Sequence, residues 1–374
     1  MMALGLTAMA VLLFVWGGYP LVMRLAAAGR RKPPAPLANA WPGVSVVVAT
    51  RDGAEEVAGR VANLREVGPR DGGVQVVVAV DGDSAHAVEQ VSLALGDAAR
   101  VVPADSAGGK AAALNAGVRA ASGTVLVFTD THQRFDPATI PQLLGALNEG
   151  LYDAVSGQLE LPEGARRSWV ERYWRMERQL RADEAAVHSA IGVSGSVWAM
   201  RAELWQPLPE GLILDDLYTP MRLALAGHRV GYCAEAKAFD RRRTNATGEY
   251  ARKVRTLTGN FQLLAWMPQL LLPVRNPVWL QFVCHKLLRL LTPWLVLLAA
   301  IGFGGWMLQS GGARLLLWGV VAIVAMALLA AALGHWPRLR AGARWFVLMQ
   351  AAIVMATVNG LTGRWDVWNR RSSS

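Results

Sequence analysis

The stretch Gly123–Asp130, GTVLVFTD, followed by Thr131 and His132, sets a carboxylate and an imidazole two residues apart behind a short apolar run. Read as a β-strand in an open parallel sheet, the run delivers Asp130 to the carboxyl end, where such sheets bind ligands. A carboxylate there can hold a phosphate-bound divalent metal, Mg²⁺ or Mn²⁺, and a neutral imidazole such as His132 can be a further ligand. The plainer alternative is that Asp130 begins a turn or caps the helical pattern opened by Pro137. Four more polar clusters fall at ends of apolar runs or starts of helical patterns: Thr50-Arg51, Asp81, Lys110 with Asn115, and Asp215-Asp216. Together these residue types can bind an anionic nucleotide and accept a proton.

The elements that must position them follow from hydrophobic pattern. Val44–Ala49 and Val74–Val80 read as buried strands, Arg100–Val102 as a short one, and 123–130 as the next full strand. Helical spacing covers Ala54–Glu66, Ala85–Leu95 and Ala111–Ala121 between them. Strands without polar alternation, separated by helices, predict a parallel sheet covered on both faces. No GxGxxG follows the first strand, which disfavours an ordinary dinucleotide-binding domain. Further on, Pro137–Asn148 reads as a helix, Asp153–Leu159 as a strand and Arg167–His188 as a long helix. The Trp169, Tyr173, Met176 and Leu180 stripe of that helix is a packing face rather than a cofactor site. A strand within Ile191–Met200, a helix ending at Ala226 and a strand at His228–Cys233 complete the domain.

The 374 residues are 53% hydrophobic and carry a net charge of +10, almost all of the surplus being arginine. There are five lysines, Lys110 among them. A basic balance suits nucleic acid, anionic lipid or phosphorylated substrate; the long apolar segments favour the last two over nucleic acid. Two distant cysteines form neither a disulfide framework nor a zinc motif. Residues 1–29 are expected to hold one membrane-spanning helix, 30–43 a proline-rich linker, 44–266 the catalytic domain and 267–289 an interfacial segment. Residues 290–363 carry three apolar stretches, Leu290–Ala313, Leu315–Gly334 and Trp345–Gly363, and 364–374 a tail. Arg24, Arg30, Arg31 and Lys32 follow the first span, so the catalytic domain is expected on the cytoplasmic side of a bacterial-type inner membrane.

The segments VSVVVATRDGAE, VVAVDGDS, GGKAAALNAG, VLVFTDTHQRFDP, GVSGSVWAMR, LILDDLYTPMRLALAGHRV and EYARKVRTLTGN resemble, as a set, the membrane-bound family 2 glycosyltransferases of GT-A fold, which include cellulose, chitin and hyaluronan synthases. The resemblance covers about residues 44–266. It implies a Rossmann-like, mostly parallel sheet with helices on both faces, plus one N-terminal and about three C-terminal transmembrane helices. It implies that Thr50, Arg51, Asp81, Lys110, Asn115, Asp130, Arg252 and Arg255 bind a nucleotide-sugar donor, UDP-linked by expectation. Asp130 and His132 would take the metal, and Asp216 would be the catalytic base. Gly195, Ser196 and Asp215 would border the acceptor, Asp215 as a supporting residue. His132 stands where the Asp-x-Asp motif has its second carboxylate. Arg252-Lys253-Val254-Arg255-Thr256 replaces the Gln-x-x-Arg-Trp of processive synthases, whose tryptophan stacks under the growing chain.

Those departures favour an inverting enzyme adding one or few sugars to a lipid-linked or saccharide acceptor in cell-surface or exopolysaccharide synthesis. Membrane lipids and polysaccharide-export proteins are the expected partners. The alternatives are a processive synthase that extrudes its product and an inactive nucleotide-sugar-binding scaffold. A transporter is disfavoured because the apolar stretches hold no ionisable residues. Each site residue also has a plainer reading. Asp81 could form a turn before Gly82, and Asp216 could cap a helix with Pro220 in its first turn, although Thr219 could do so equally. Lys110 opposes the dipole at a helix start, which a phosphate would answer. Asp52 and Asp83 read as loop formers.

Overall fold

The computed structural model describes residues 1–30, 37, 43–68, 73–81, 85–105, 108–160, 169–240, 246–310, 312 and 336–366. Most of the expected linker, the run Arg241–Arg243 and the span Leu315–Gly334 lie outside the described residues.

An eight-stranded sheet is built from β1 (Val44–Thr50), β2 (Val74–Val80), β3 (Arg100–Pro103), β4 (Val125–Thr129), β5 (Gln133–Phe135), β6 (Ala154–Glu160), β7 (Trp198–Arg201) and β8 (Val230–Asp240). Their order is β3-β2-β1-β4-β7-β6-β8-β5. The β3-β2-β1-β4 half is parallel throughout. In the other half β7 runs antiparallel to β4 and β6, β8 is parallel to β6, and β5 is antiparallel to β8. The domain is therefore mixed α/β. Val46, Val47 and Val48 are fully buried, which fits a strand with helices on both faces; each such side chain contributes about 1.5–3 kcal/mol. Phe128 stacks on Trp198 at 4.3 Å and on Trp205 at 5.2 Å, joining the two halves of the sheet.

The helices that follow β1 up to residue 266 are α3 (Ala54–Val67), α4 (Ala85–Leu95), α5 (Gly109–Ala120), α6 (Thr139–Asn148), α7 (Trp169–Val187), α8 (Asp215–Leu225) and α9 (Ala246–Trp266). They follow α1 (Met2–Leu13) and α2 (Tyr19–Ala27), joined by a π-helical turn at Phe14–Gly18. Two short helices, α10 (Trp279–Phe282) and α11 (Leu288–Leu290), precede α12 (Thr292–Gln309) and α13 (Trp336–Leu361). Among the described residues Met2–Ala27, Thr292–Gln309 and Arg340–Leu361 are long and apolar enough to cross a membrane. The first two of these meet closely: a Cβ on Gly302 would stand 2.3 Å from the Gly5 nitrogen, the small-residue contact that lets apolar helices approach.

Two local expectations change. β5 and the far end of β8 extend the sheet beyond Cys233, because the 133–135 segment pairs with residues 238–240. The helix at Asp215 starts earlier than Pro220 suggested: Leu214 is its N-cap residue and Pro220 lies inside it. Thr219 therefore caps nothing; it is buried within the helix.

Candidate active site

Parallel register places the ends of β1, β2 and β4 on one edge. Thr50 closes β1, Asp81 follows β2 and Asp130 follows β4; the Asp81 N–H donates to the Thr50 carbonyl at 2.7 Å. Thr50, Arg51, Asp81, Lys110, Asp130, His132 and Arg255 line one cleft of about 230 Å³. Arg255 arrives from α9, far along the chain.

The Asp81 carboxylate is held from two sides. Arg51 pairs with one oxygen, and the Gly109 N–H donates to the other at 2.9 Å. Gly108 and Gly109 take φ of +66° and +88°, values that glycine adopts without the cost a Cβ carries. This turn begins α5 and brings its second residue, Lys110, against carboxylates. The Lys110 ammonium lies 3.2 Å from Asp130 Oδ1 and 3.4 Å from Asp215 Oδ2. Burial lowers the lysine pKa, but Asp130, Asp215 and Asp216 more than offset that and hold it above its ordinary value. The charge at this helix start is thus answered by protein carboxylates, where the sequence suggested a phosphate.

Asp130 is anchored as well. The Ser196 hydroxyl donates to its Oδ2 at 2.9 Å. Beneath it, the Thr129 hydroxyl donates to the Ser196 carbonyl at 2.8 Å and accepts from the fully buried Arg60 guanidinium at 2.8 Å. Burial and Arg134 push the Arg60 pKa down while Asp130 opposes them. Arg60 has one signal in the sequence, an arginine on the apolar stripe of Val57, Val61 and Leu64. Asp52, taken for a loop former, also lines the cleft and faces His132 Nε2 at 3.2 Å.

Asp216 sits beside this cleft, in the first turn of α8. An ideal Cβ on Gly195 would lie 3.4 Å from Lys110 Nζ and 3.6 Å from Asp216 Oδ2, so Gly195 leaves a space between the two charges. Burial and the adjacent Asp215 raise the Asp216 pKa to about 6, against the pull of Lys110, Lys286 and Arg181. A carboxyl with that pKa is suited to accept a proton near neutrality.

Two expected donor ligands are not at the cleft. Asn115 faces the opposite way: its amide donates to the Leu208 carbonyl at 2.9 Å and accepts the Leu208 N–H at 2.8 Å. Both ends of its amide clamp the loop at Leu208, and it is absent from the cleft wall. Arg252 pairs with Glu249 one turn away on α9 and is absent from the cleft wall.

Among the described residues no three His, Cys, Asp or Glu side chains converge as a metal cage. The residues nonetheless fit a hard divalent ion that keeps substrate phosphates as ligands, since such sites use only one or two protein carboxylates. Asp130 remains 30% exposed towards the cleft, with His132 on the same wall.

Residues 45–206 match the family described as Glycosyl transferase family 2. No curated protein sequence matches significantly. The fold resembles a mannosyltransferase from Pyrobaculum calidifontis, solved with GDP-mannose and Mn²⁺, at 23% identity and a TM-score of 0.71, over 96% of this chain and 99% of that one. It also resembles a glucosyl-3-phosphoglycerate synthase from Mycobacterium tuberculosis, solved with Mn²⁺, UDP-glucose and phosphoglyceric acid, at 19% identity and a TM-score of 0.44, over 65% of this chain and 81% of that one. Residues 45–206 are thus similar to glycosyl transferase family 2, and the fold is GT-A-like, with helices apolar enough to cross a membrane towards either end.

Proposed function

We propose that the protein is an inverting glycosyltransferase using a nucleotide-sugar donor, UDP-linked in the first instance, and a lipid-linked or saccharide acceptor. Its place is the cytoplasmic face of a bacterial-type inner membrane. The observation that carries this reading is the meeting of Asp81, Lys110, Asp130 and Arg255, from four separate elements, around one cleft with Asp216 alongside.

The division of labour follows from charge. A nucleoside diphosphate is anionic, and Arg255 offers it a forked donor. Burial lowers the Arg255 pKa, while Asp216, Asp215 and Asp130 oppose that change. Asp130, with His132, would hold Mg²⁺ or Mn²⁺, which supplies charge neutralisation to the departing diphosphate when bound. Lys110 keeps Asp130 and Asp215 in place. Asp216 takes the proton of an acceptor hydroxyl as its oxygen bonds to the anomeric carbon and the bond to the diphosphate breaks. One such displacement inverts the anomeric configuration. Thr256 offers no ring for a polymer to stack on, which favours short products.

The test is a panel of UDP- and GDP-sugars on the purified full chain in lipid, after chelation and with Mn²⁺ or Mg²⁺ restored. Nucleoside diphosphate release from one donor, restored by metal, with a product of one or few added sugars, is expected. Absence of release from every donor would remove the enzyme reading, and long polymer would move it to a processive synthase.

A further inference from the structure

A second cavity, of about 350 Å³, lies where the N-terminal helix, α7, α9 and the C-terminal helices meet. Its size falls in the usual range for small-molecule sites. Its two ends differ in chemistry. One end is walled by Leu12, Val296, Phe346 and Ile353, each from a candidate membrane span. Phe346 and Val296 are 46% and 37% exposed while lining it, so this end opens on the outer surface of the candidate spans. The rest of the lining gathers Lys253, His285, Lys286 and Arg289, with the carboxylate Glu177 among them.

Not every cation at this end has an ion-pair partner. Glu249 pairs with Lys253 at 4.0 Å. Glu177 pairs with Arg289 and lies 3.0 Å from His285 Nε2, and Glu184 lies 2.9 Å from His285 Nδ1. Among the described residues Lys286 has no carboxylate within ion-pairing distance. It is half-buried, and burial lowers its pKa while Glu177 raises it. Partial burial without an ion-pair partner leaves this cation incompletely compensated, and an anion entering the cavity would supply the partner.

One helix serves both the cavity and the proposed catalytic cleft. α9 sends Arg255 to the cleft and Lys253 with Thr256 to the cavity. The Lys286 charge is felt by Asp216.

We propose that this cavity binds the acceptor as an anionic lipid, its phosphorylated head at Lys286 and its hydrocarbon chain leaving between the membrane-spanning helices. The inference rests on the transferase reading above and names its acceptor class. In the reaction this serves, an oxygen of the head group bonds to the anomeric carbon, the bond to the nucleoside diphosphate breaks, the diphosphate leaves with that electron pair, and any proton on the attacking oxygen passes to Asp216.

Binding is measured without donor, by titrating the full chain in neutral detergent with dodecyl phosphate, dodecanol, inorganic phosphate and dioleoyl phosphatidylglycerol. Dodecyl phosphate is expected to bind at least tenfold more tightly than each of the other three. Lys286→Gln is expected to lose that tenfold and Lys286→Arg to keep it. Val296→Trp, which leaves every cation in place and fills the apolar end, is expected to weaken binding at least tenfold, and covers the case of an unfolded Lys286→Gln. Equal binding of dodecanol or of inorganic phosphate would overturn the proposal, as would binding unchanged in both Lys286→Gln and Val296→Trp. Equal binding of phosphatidylglycerol would make this a site for bulk lipid and overturn the acceptor assignment. Donor turnover is followed separately by nucleoside diphosphate release. Turnover without alkyl phosphate binding would sink this proposal alone, and alkyl phosphate binding in a chain inert towards every donor would sink the transferase reading instead.

Discussion

The Val193 N–H donates to the Asp216 carbonyl at 2.9 Å, and it can do so because of a residue four positions further on. In an unbroken helix the Asp216 carbonyl would accept the N–H of residue 220. That residue is Pro220, which has no N–H and whose ring crowds the carbonyl four residues back. The freed carbonyl ties the Gly192–Ser196 loop to the helix that carries Asp216. Ser196 in turn bonds Asp130, so the backbone break in α8 couples Asp216 to Asp130.

Pro220→Ala restores the missing donor and lets α8 close on itself. The expected result is a melting temperature within about 3 °C of the parent, since helix propensity improves while the loop anchor weakens. Turnover should fall about tenfold through misplacement of Asp216 and Gly195. Steady-state kinetics beside a thermal melt separate these effects; parent-like turnover would deny the coupling.

As the proposed base, Asp216 should set the acid limb of the pH profile. Its pKa is raised to about 6 by burial and by Asp215, and a base works only when deprotonated. Activity should therefore be full above about pH 7 and fall roughly tenfold per unit below about pH 6. Asp216→Asn should lower turnover by about 10²–10⁴ with nucleotide binding retained. Initial rates from pH 4.5 to 8.5, with nucleotide affinity of the variant, provide the check.

Lys110→Gln removes a counter-charge that lowers the Asp216 pKa. The acid limb should then move to higher pH, the opposite of a simple loss of active enzyme. The lysine pKa lies above its ordinary value, so its stabilisation is present throughout neutral pH and fades only in strong alkali. A quarter of its side chain is exposed, at 25%, so the loss at pH 7 should be about 2 kcal/mol, less than for a fully buried pair. Denaturant titration at pH 7 measures it.

Gly195→Ala adds a methyl that meets Lys110 Nζ at 3.4 Å and Asp216 Oδ2 at 3.6 Å. These are ordinary contacts, and Gly195 does not have a positive φ. Folding should be unaffected and turnover reduced tenfold or more, because the methyl occupies space between base and lysine. Parent-like turnover would place the acceptor elsewhere.

Asn115→Ala tests the opposite assignment. Leu208 is buried and would lose partners for both its N–H and its carbonyl. The expected cost is about 2 kcal/mol of stability with KM for the donor unchanged. A raised KM with parent stability would return Asn115 to the nucleotide.

The parallel half of the sheet was legible from the chain because β1, β2 and β4 are largely apolar runs that lead into a polar residue at the strand end. Strand ends in a parallel sheet share an edge, so Thr50, Asp81 and Asp130 could be brought together from pattern alone. β5 and the outer part of β8 were not legible. Their pairing is set by a partner about a hundred residues away, and three residues carry no periodicity of their own. The start of α8 was misread for a related reason. Pro220 favours a first turn by local statistics, whereas tertiary contact with Val193 makes it useful inside the helix.

The amino-acid order by itself determined which charges this protein owns, which runs must be buried and which helices suit a bilayer, because these depend on composition and period. Only the tertiary structure decided which charges face each other. It matched Lys110 to Asp130 and Asp215, turned Asn115 away to Leu208, brought Asp52 into the cleft, and left Lys286 at the cationic end of a cavity among apolar helices. Pairing energy falls with distance in space and depends on burial, and neither quantity is a function of separation along the chain.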